Sequence, residues 1–215
     1  MNVRAHGVFL AVAILPLLLS GCVTPQAYDY TAYRAHFPRS ILVLPPLNES
    51  TDINATYGCL STVSMPLAEH GYYVFPVAVV DQLFKENGMP TAGEMHQAPL
   101  NKIREIIGAD AVLYITIKEY GSSYQVINSA TTVRAEASLV DTVSGTVLWS
   151  GKVAGQENSG GTGTIIGDLV AAVLTQVINQ SGDRAHQVCR LANAQFGTQR
   201  DGLLPGPYHQ GFGTD

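Results

Sequence analysis

The sequence predicts a single α/β domain. The expected architecture is a mixed-sheet α/β sandwich, strand–helix–strand–helix followed by an antiparallel meander and C-terminal helices. Three observations predict it. Short apolar runs at residues 40–44 (SILVL), 72–77 (YYVFPV) and 111–118 (AVLYITIK) lie among proline and glycine punctuation, as buried strands do. Between them, apolar side chains recur at helical spacing and stop at Gly71, Asn87-Gly88 and Gly108. Residues 134–140 and 146–153 then flank the turn Asp141-Thr142-Val143-Ser144-Gly145, too short for anything but antiparallel pairing. Strands and helices in that order bury their apolar faces as two or three layers.

Read from its start, the chain opens with an address. Arg4 precedes the wholly apolar residues 8–19, a positive n-region and an h-region of a secretory leader. Twelve residues fall short of the ~20 that a membrane-spanning helix needs, and Pro16 weakens such a helix further. Leu19-Ser20-Gly21-Cys22 follows directly. Small residues before a cysteine at this point resemble the bacterial lipobox. The resemblance implies diacylation of the Cys22 sulfur, cleavage before it and acylation of the new amine. An ordinary leader with an incidental cysteine is the alternative. Val23, where an aspartate would mark inner-membrane retention, implies the outer membrane. The expected organisation is a leader over 1–21, a lipidated tether over 22–39, one α/β domain over 40–200 and an irregular tail over 201–215. The tether carries Tyr28, Tyr30 and Tyr33 and reads as a spacer, with a membrane-interface role as the alternative.

Within the domain, the strand at 40–44 ends at Pro45-Pro46. A polar loop then leads to a helix over 55–69 that contains Pro66. After the strand at 72–77 comes a short helix over 79–86, a loop over 89–99, and a helix in which Leu100, Ile103, Ile106 and Ile107 share a face. Gly160-Gly161-Thr162-Gly163 precedes a broad apolar helical stripe over 165–178, which suits either a core helix or an oligomer surface. Asp183 caps a last helix over 184–196. The tail has no periodicity and is expected to lie over the surface.

Composition narrows the function classes. Charged residues are 13% and hydrophobic residues 46% of the chain, which excludes a charge-rich disordered protein. The net charge is −5, and −6 once Arg4 leaves with the leader. There is no basic surplus for nucleic acid. With Cys22 acylated, Cys59 and Cys189 remain. An oxidising compartment points to a Cys59–Cys189 bridge, with two buried thiols as the alternative. No CxxC spacing supports a metal site.

No catalytic constellation emerges. The glycine cluster lacks a P-loop lysine and reads as a hinge. His36, His70, His96, His186 and His209 form no HxxxH pair, and Ser20, Ser61 and Ser64 lie in no GxSxG elbow. Asp141 and Glu136 read as solvated surface, and Trp149 as core. No metal, cofactor or catalytic residue is expected.

Five phrases carry a resemblance: ILVLPPLNES at 41–50, EHGYYVFPV at 69–77, IIGADAVLYITI at 106–117, LVDTVSGTVLWSG at 139–151 and LLPGPYH at 203–209. Together they resemble a family of bacterial lipoproteins catalogued as a domain of unknown function, to which a meningococcal vaccine-candidate lipoprotein belongs. More distantly, the block order resembles the periplasmic domain of curli-secretion lipoproteins and the N-terminal domain of the TolB translocation protein. The resemblance implies a non-catalytic α/β domain at the periplasmic face of the outer membrane. It also implies envelope partners such as a curli-secretion-like lipoprotein. A homo-oligomer fits the same reading. A small-molecule or glycan binding module is the main alternative, for which a pocket lined by Tyr72, Tyr114 or Tyr124 is the signature. A hydrolase with an unrecognised site comes third.

Overall fold

The computed structural model describes residues 27–124, 129–158 and 184–213. The leader, Cys22, the glycine cluster at 160–163, the expected helix over 165–178 and Asp183 lie outside them.

The apolar run beginning at Ser40 forms strand Ser40–Val43 (β1), every residue of which is buried except the first. It pairs in parallel with Tyr73–Val74 (β3) on one side and with Ala111–Tyr124 (β4) on the other. Leu47–Asn48 (β2), a stretch that reads as loop, adds a short parallel pair to the later part of β4. Ser129–Asp141 (β5) and Val147–Asn158 (β6) complete the sheet as an antiparallel meander, giving the order β3-β1-β4-β5-β6. The mixed α/β fold class is as the sequence predicts.

Helices cover both faces of the parallel half and one face of the meander. Ala55–Glu69 (α2) and Arg184–Thr198 (α6) pack on one face, over Ile41, Leu113, Leu139 and Trp149. Thr31–His36 (α1) joins them there through Tyr33. Val77–Glu86 (α3), Ala92–Met95 (α4) and Leu100–Ile107 (α5) cover the other face, over Leu42, Leu44 and Val112. Beyond those helices, no described helix covers the second face of the meander. It carries a charge ladder in which Lys118 meets Glu49 and Glu136, Lys152 meets Glu136, and Arg134 meets Glu119.

Several elements differ from expectation. The strand over 72–77 is only two residues, because Pro76 has no N–H to give a ladder and the chain turns into α3 at Val77. The loop over 89–99 contains α4, opened by a reciprocal capping box between Thr91 and Glu94. The three meander strands run longer than their apolar cores, with bulges at Ile117/Glu119 and Leu139/Val140. The expected spacer over 22–39 is folded from Tyr28 onward, and Tyr33 is fully buried.

The edge strand β6 is closed by side chains. The Gln195 amide donates to the Ala154 carbonyl at 2.7 Å and accepts from its N–H at 3.3 Å, as a neighbouring strand would. The Ser150 N–H donates to the Tyr28 hydroxyl at 2.8 Å. Side chains from outside the sheet thus occupy backbone groups through which a foreign strand would pair.

Candidate functional site

The phrase most specific to the resemblance, LLPGPYH, forms a strap across the end of the domain. Leu203 and Leu204 are buried in the larger core, so this part of the tail is packed interior and not a surface covering. The Leu203 N–H donates to the Phe196 carbonyl at the end of α6. Gly206 N–H donates to the His70 carbonyl at 2.8 Å, and Tyr208 N–H to the Gly71 carbonyl at 3.1 Å. Gly71 has φ +89° and Gly206 lies against its carbonyl, so neither position has room for a Cβ.

Side chains complete the attachment. The Tyr72 hydroxyl donates to the Leu204 carbonyl and is bonded to the Tyr33 hydroxyl. His70 Nε2 donates to the Leu203 carbonyl at 2.7 Å, and Trp149 Nε1 donates to the Asp201 carbonyl at 2.8 Å. Burial pushes the Tyr33 phenol well above its ordinary range, and the adjacent Tyr72 pushes it the same way. The Tyr33 phenol therefore stays neutral at physiological pH, and both phenols serve as hydrogen-bonding posts. Trp149 is buried edge-on to Phe196, as the sequence predicts.

Cys59 on α2 and Cys189 on α6 form a disulfide in the structure, with Cα atoms 5.6 Å apart. Beside it, the buried Asn193 amide donates to Thr62 Oγ1 at 2.9 Å and to the Cys59 carbonyl at 3.2 Å. This polar pocket is fully satisfied, as buried polar groups generally are.

The two acidic residues nearest the core are structural. Asp110 Oδ2 accepts from the Arg39 and Ser40 N–H groups and from the Ser40 hydroxyl, while Arg104 donates to Oδ1 at 3.3 Å. Burial pushes its carboxyl upward, but these donors outweigh burial and hold it below the usual carboxylate range. Asp141 corrects the expectation of a solvated surface residue, for it is buried. It accepts from Val143 N–H, Ser144 N–H and the Ser144 hydroxyl, which fixes the β5–β6 turn. Glu136 is part of the charge ladder.

A depressed folded-state pKa stabilises above the ordinary carboxylate range and is lost as pH falls through the folded value. Asp110→Asn is therefore expected to destabilise by on the order of 1 kcal/mol near neutral pH, since the group is partly solvated. Thermal melts against pH check this: the gap to the unaltered protein closes in acid. A gap that persists unchanged in acid would show that the charge plays no part.

Of the tyrosines expected to line a binding pocket, Tyr72 and Tyr114 are not brought together. Tyr72 lies inside the core cluster beneath α2, whereas Tyr114 packs on the other sheet face, edge-on to His96. Tyr124 belongs to a stretch, 123–129, whose side chains lie outside the described residues. Among the described residues, no group of three or more His, Cys, Asp or Glu side chains is placed to hold a metal. His96 donates to the Pro45 carbonyl at 2.9 Å, and burial lowers its pKa. The His70 and His209 rings lie 5.6 Å apart between centroids at a tilt of 44°, and no metal-holding group of three is formed with them among the described residues. Ser61 Oγ donates to the Gly58 carbonyl of its own helix. A cleft of about 280 Å³ between α3 and α5 is apolar, lined by Leu83, Phe84, Met89, Ile103 and the exposed Ile106. No described helix is long and apolar enough to cross a membrane.

Comparison with known proteins places these motifs. The family described as "Putative lipoprotein GNA1162-like" matches residues 28–208. The Neisseria meningitidis serogroup B protein named "Putative lipoprotein NMB1124/NMB1162" is 46% identical over 196 residues, spanning 89% of this chain and 91% of that one. The crystal structure of lipoprotein GNA1162 from Neisseria meningitidis is similar at 53% identity and a TM-score of 0.55, over 59% of this chain and 88% of that chain. A PelC dodecamer from Paraburkholderia phytofirmans shares 14% identity over 84% of this chain and 96% of that chain. Its TM-score of 0.46 is too low to carry an argument.

Proposed function

Because the chain belongs to the GNA1162-like lipoprotein family, we propose that it is a non-catalytic lipoprotein, anchored through acylated Cys22 to the periplasmic face of the outer membrane. There it serves as a component of an envelope assembly or secretion complex. The observation that carries this reading is the family match over residues 28–208 directly behind Leu19-Ser20-Gly21-Cys22. The chemistry of the described residues supports it. Four residues within the phrases that carry the resemblance, Asp110, Asp141, Tyr72 and Gly206, hold the fold together through their hydrogen bonds and close packing.

Two acyl chains or more make a durable anchor, where one is marginal. A disulfide between α2 and α6 suits an oxidising periplasm. Envelope partners, a curli-secretion-like lipoprotein among them, and self-association both fit a domain held at a surface.

In-cell crosslinking of the full lipidated protein, followed by membrane fractionation, tests the reading. The expected result is recovery in the outer-membrane fraction with distinct envelope proteins attached, and release to the soluble fraction on Cys22→Ala. Recovery of the protein alone, or in the soluble fraction without that substitution, would overturn it.

A further inference from the structure

We infer that the face built around α1 rests on a membrane surface carrying anionic phospholipid headgroups. The inference deepens the proposed anchoring at Cys22 and rests on it. Its first ground is the distribution of unpaired cations. Lys85, Lys102, Lys118 and Lys152, all the lysines of the chain, are in ion pairs, as are Arg104 and Arg134. Arg34, Arg39 and Arg200 are exposed and have no carboxylate partner among the described residues. All three gather around α1, whereas Arg184 and Arg190, which also lack a carboxylate partner among the described residues, belong to α6.

The three arginines line two neighbouring clefts. The first, of about 600 Å³, has Arg34 and Arg200 beside Tyr28 and Tyr30. Its carboxylates are Asp29, which accepts from the Thr31 N–H at 2.9 Å, and Asp201. The second, of about 240 Å³, has Arg39 beside Phe37, Pro207, Tyr208 and Phe212. Helix α1 joins the two. Phe37 caps it in the left-handed region at φ +34°, with its ring edge-on to both Tyr33 and Phe212. The linings of the two clefts thus carry three arginines against two carboxylates, on a chain whose net charge is −5; the nearby Asp110 carboxylate accepts from the Arg39 N–H and from Arg104.

Its aromatic residues point the same way. Tyr208 is 71% exposed and Phe212 41% exposed. A tyrosine, apolar along its ring and polar at its hydroxyl, settles at the headgroup level of a bilayer, and the half-exposed Phe212 ring adds apolar surface beside it. A guanidinium is weakly hydrated and matches phosphate with two parallel hydrogen bonds. The sheet face with the charge ladder offers no such chemistry, because its lysines and Arg134 are already paired with carboxylates.

Covalent geometry supplies the occupant. Ala27 lines the first cleft and stands five residues after Cys22. Five residues span at most ~18 Å fully extended. An anchor at Cys22 therefore holds this face within reach of headgroups, where attraction acts at a high effective concentration. Each basic side chain near an anionic surface favours docking by roughly fivefold.

Hydrogen–deuterium exchange tests this on the full lipidated protein, in vesicles of phosphatidylethanolamine with phosphatidylglycerol and in neutral phosphatidylcholine vesicles. Mass spectrometry of Cys22 and vesicle flotation are read on the same samples. The expected result is slower exchange over residues 28–39 and 200–213 in the anionic vesicles only, with residues 129–158 unchanged. The combined variant Arg34→Gln, Arg39→Gln, Arg200→Gln still floats but loses at least ~tenfold of the docked population. Equal exchange in both vesicles, in protein that is acylated and floats, would overturn the docking inference while leaving the anchor intact. Unmodified Cys22 and failure to float would overturn the anchoring itself, and this inference with it.

Discussion

Removing the Cys59–Cys189 bond is expected to lower the melting temperature by about 10–20 °C. The bond joins residues 130 apart in sequence. Closing a loop of that length removes ~5 kcal/mol of chain entropy from the unfolded state, in a model whose mechanism is debated. For a domain of this size, 1 kcal/mol corresponds to about 2–4 °C. The fold gives the bond more to hold than its own loop. It staples α6 to α2, and α6 brings in the Gln195 amide that closes β6 and the Phe196 carbonyl that receives the strap. Both sulfurs are buried, so reductant acts mainly through the unfolded chain. The measurement is calorimetry of protein shown by mass to start oxidised, with and without reductant, beside the double variant Cys59→Ala, Cys189→Ala. Equal melting of the oxidised and reduced forms would mean that packing around Asn193 alone holds the two helices.

How much of this was legible in the sequence depended on the range of the interaction. β1 and the first half of β4 are continuous apolar runs buried on both faces, and such runs declare themselves. α5 ends at Gly108 in the left-handed region, as the glycine stop predicts. α4 was readable too, through the Thr91-x-x-Glu94 signature, but the surrounding proline, threonine and glycine read as loop. Tyr33 was not readable. It lies in a polar stretch, and only its meeting with Tyr72 and the strap makes it core. The far ends of β5 and β6 are polar, yet Thr131 and Thr132 are buried by pairing on both sides, which no periodicity announces.

The candidate site divides in the same way. The Cys59–Cys189 pairing is an expectation from counting cysteines and naming a compartment, whereas the placement of Tyr72 and Tyr114 on opposite sheet faces is set by the tertiary fold, which no residue count announces. That Asp141 is buried is a property of its own turn, where three donors replace water. The segregation of unpaired arginines around α1 is invisible in a composition of 12 basic and 17 acidic residues. It appears only when each cation is matched with its neighbours in space.

The strap yields the other large effect. Gly206→Ala is expected to destabilise the domain by ~3 kcal/mol or more, near the upper end for one methyl group. The added Cβ would stand 2.6 Å from the Gly71 carbonyl carbon and 2.9 Å from Tyr72 Cδ1. The first of these is backbone at a left-handed residue, which cannot rotate away. Relief requires lifting the strap, and lifting it strips the Tyr72 hydroxyl and His70 of their carbonyl acceptors and uncovers Leu203 and Leu204. Tyr72→Phe isolates the polar part of that loss. It leaves the buried Leu204 carbonyl and Tyr33 hydroxyl without their partner, at about 1–3 kcal/mol. Tyr208→Ser, in the same phrase but exposed, is expected to leave the melting temperature within about 1 °C, as surface changes do. Thermal melts of the three variants check the pattern. If Gly206→Ala melts with the unaltered protein, the strap is not packed on Gly71, and the LLPGPYH phrase must be explained by something it meets outside the fold. If instead only Tyr208→Ser is silent, the phrase has two physical roles: residues 203–206 close the core, and Tyr208 stays free for the surface around α1.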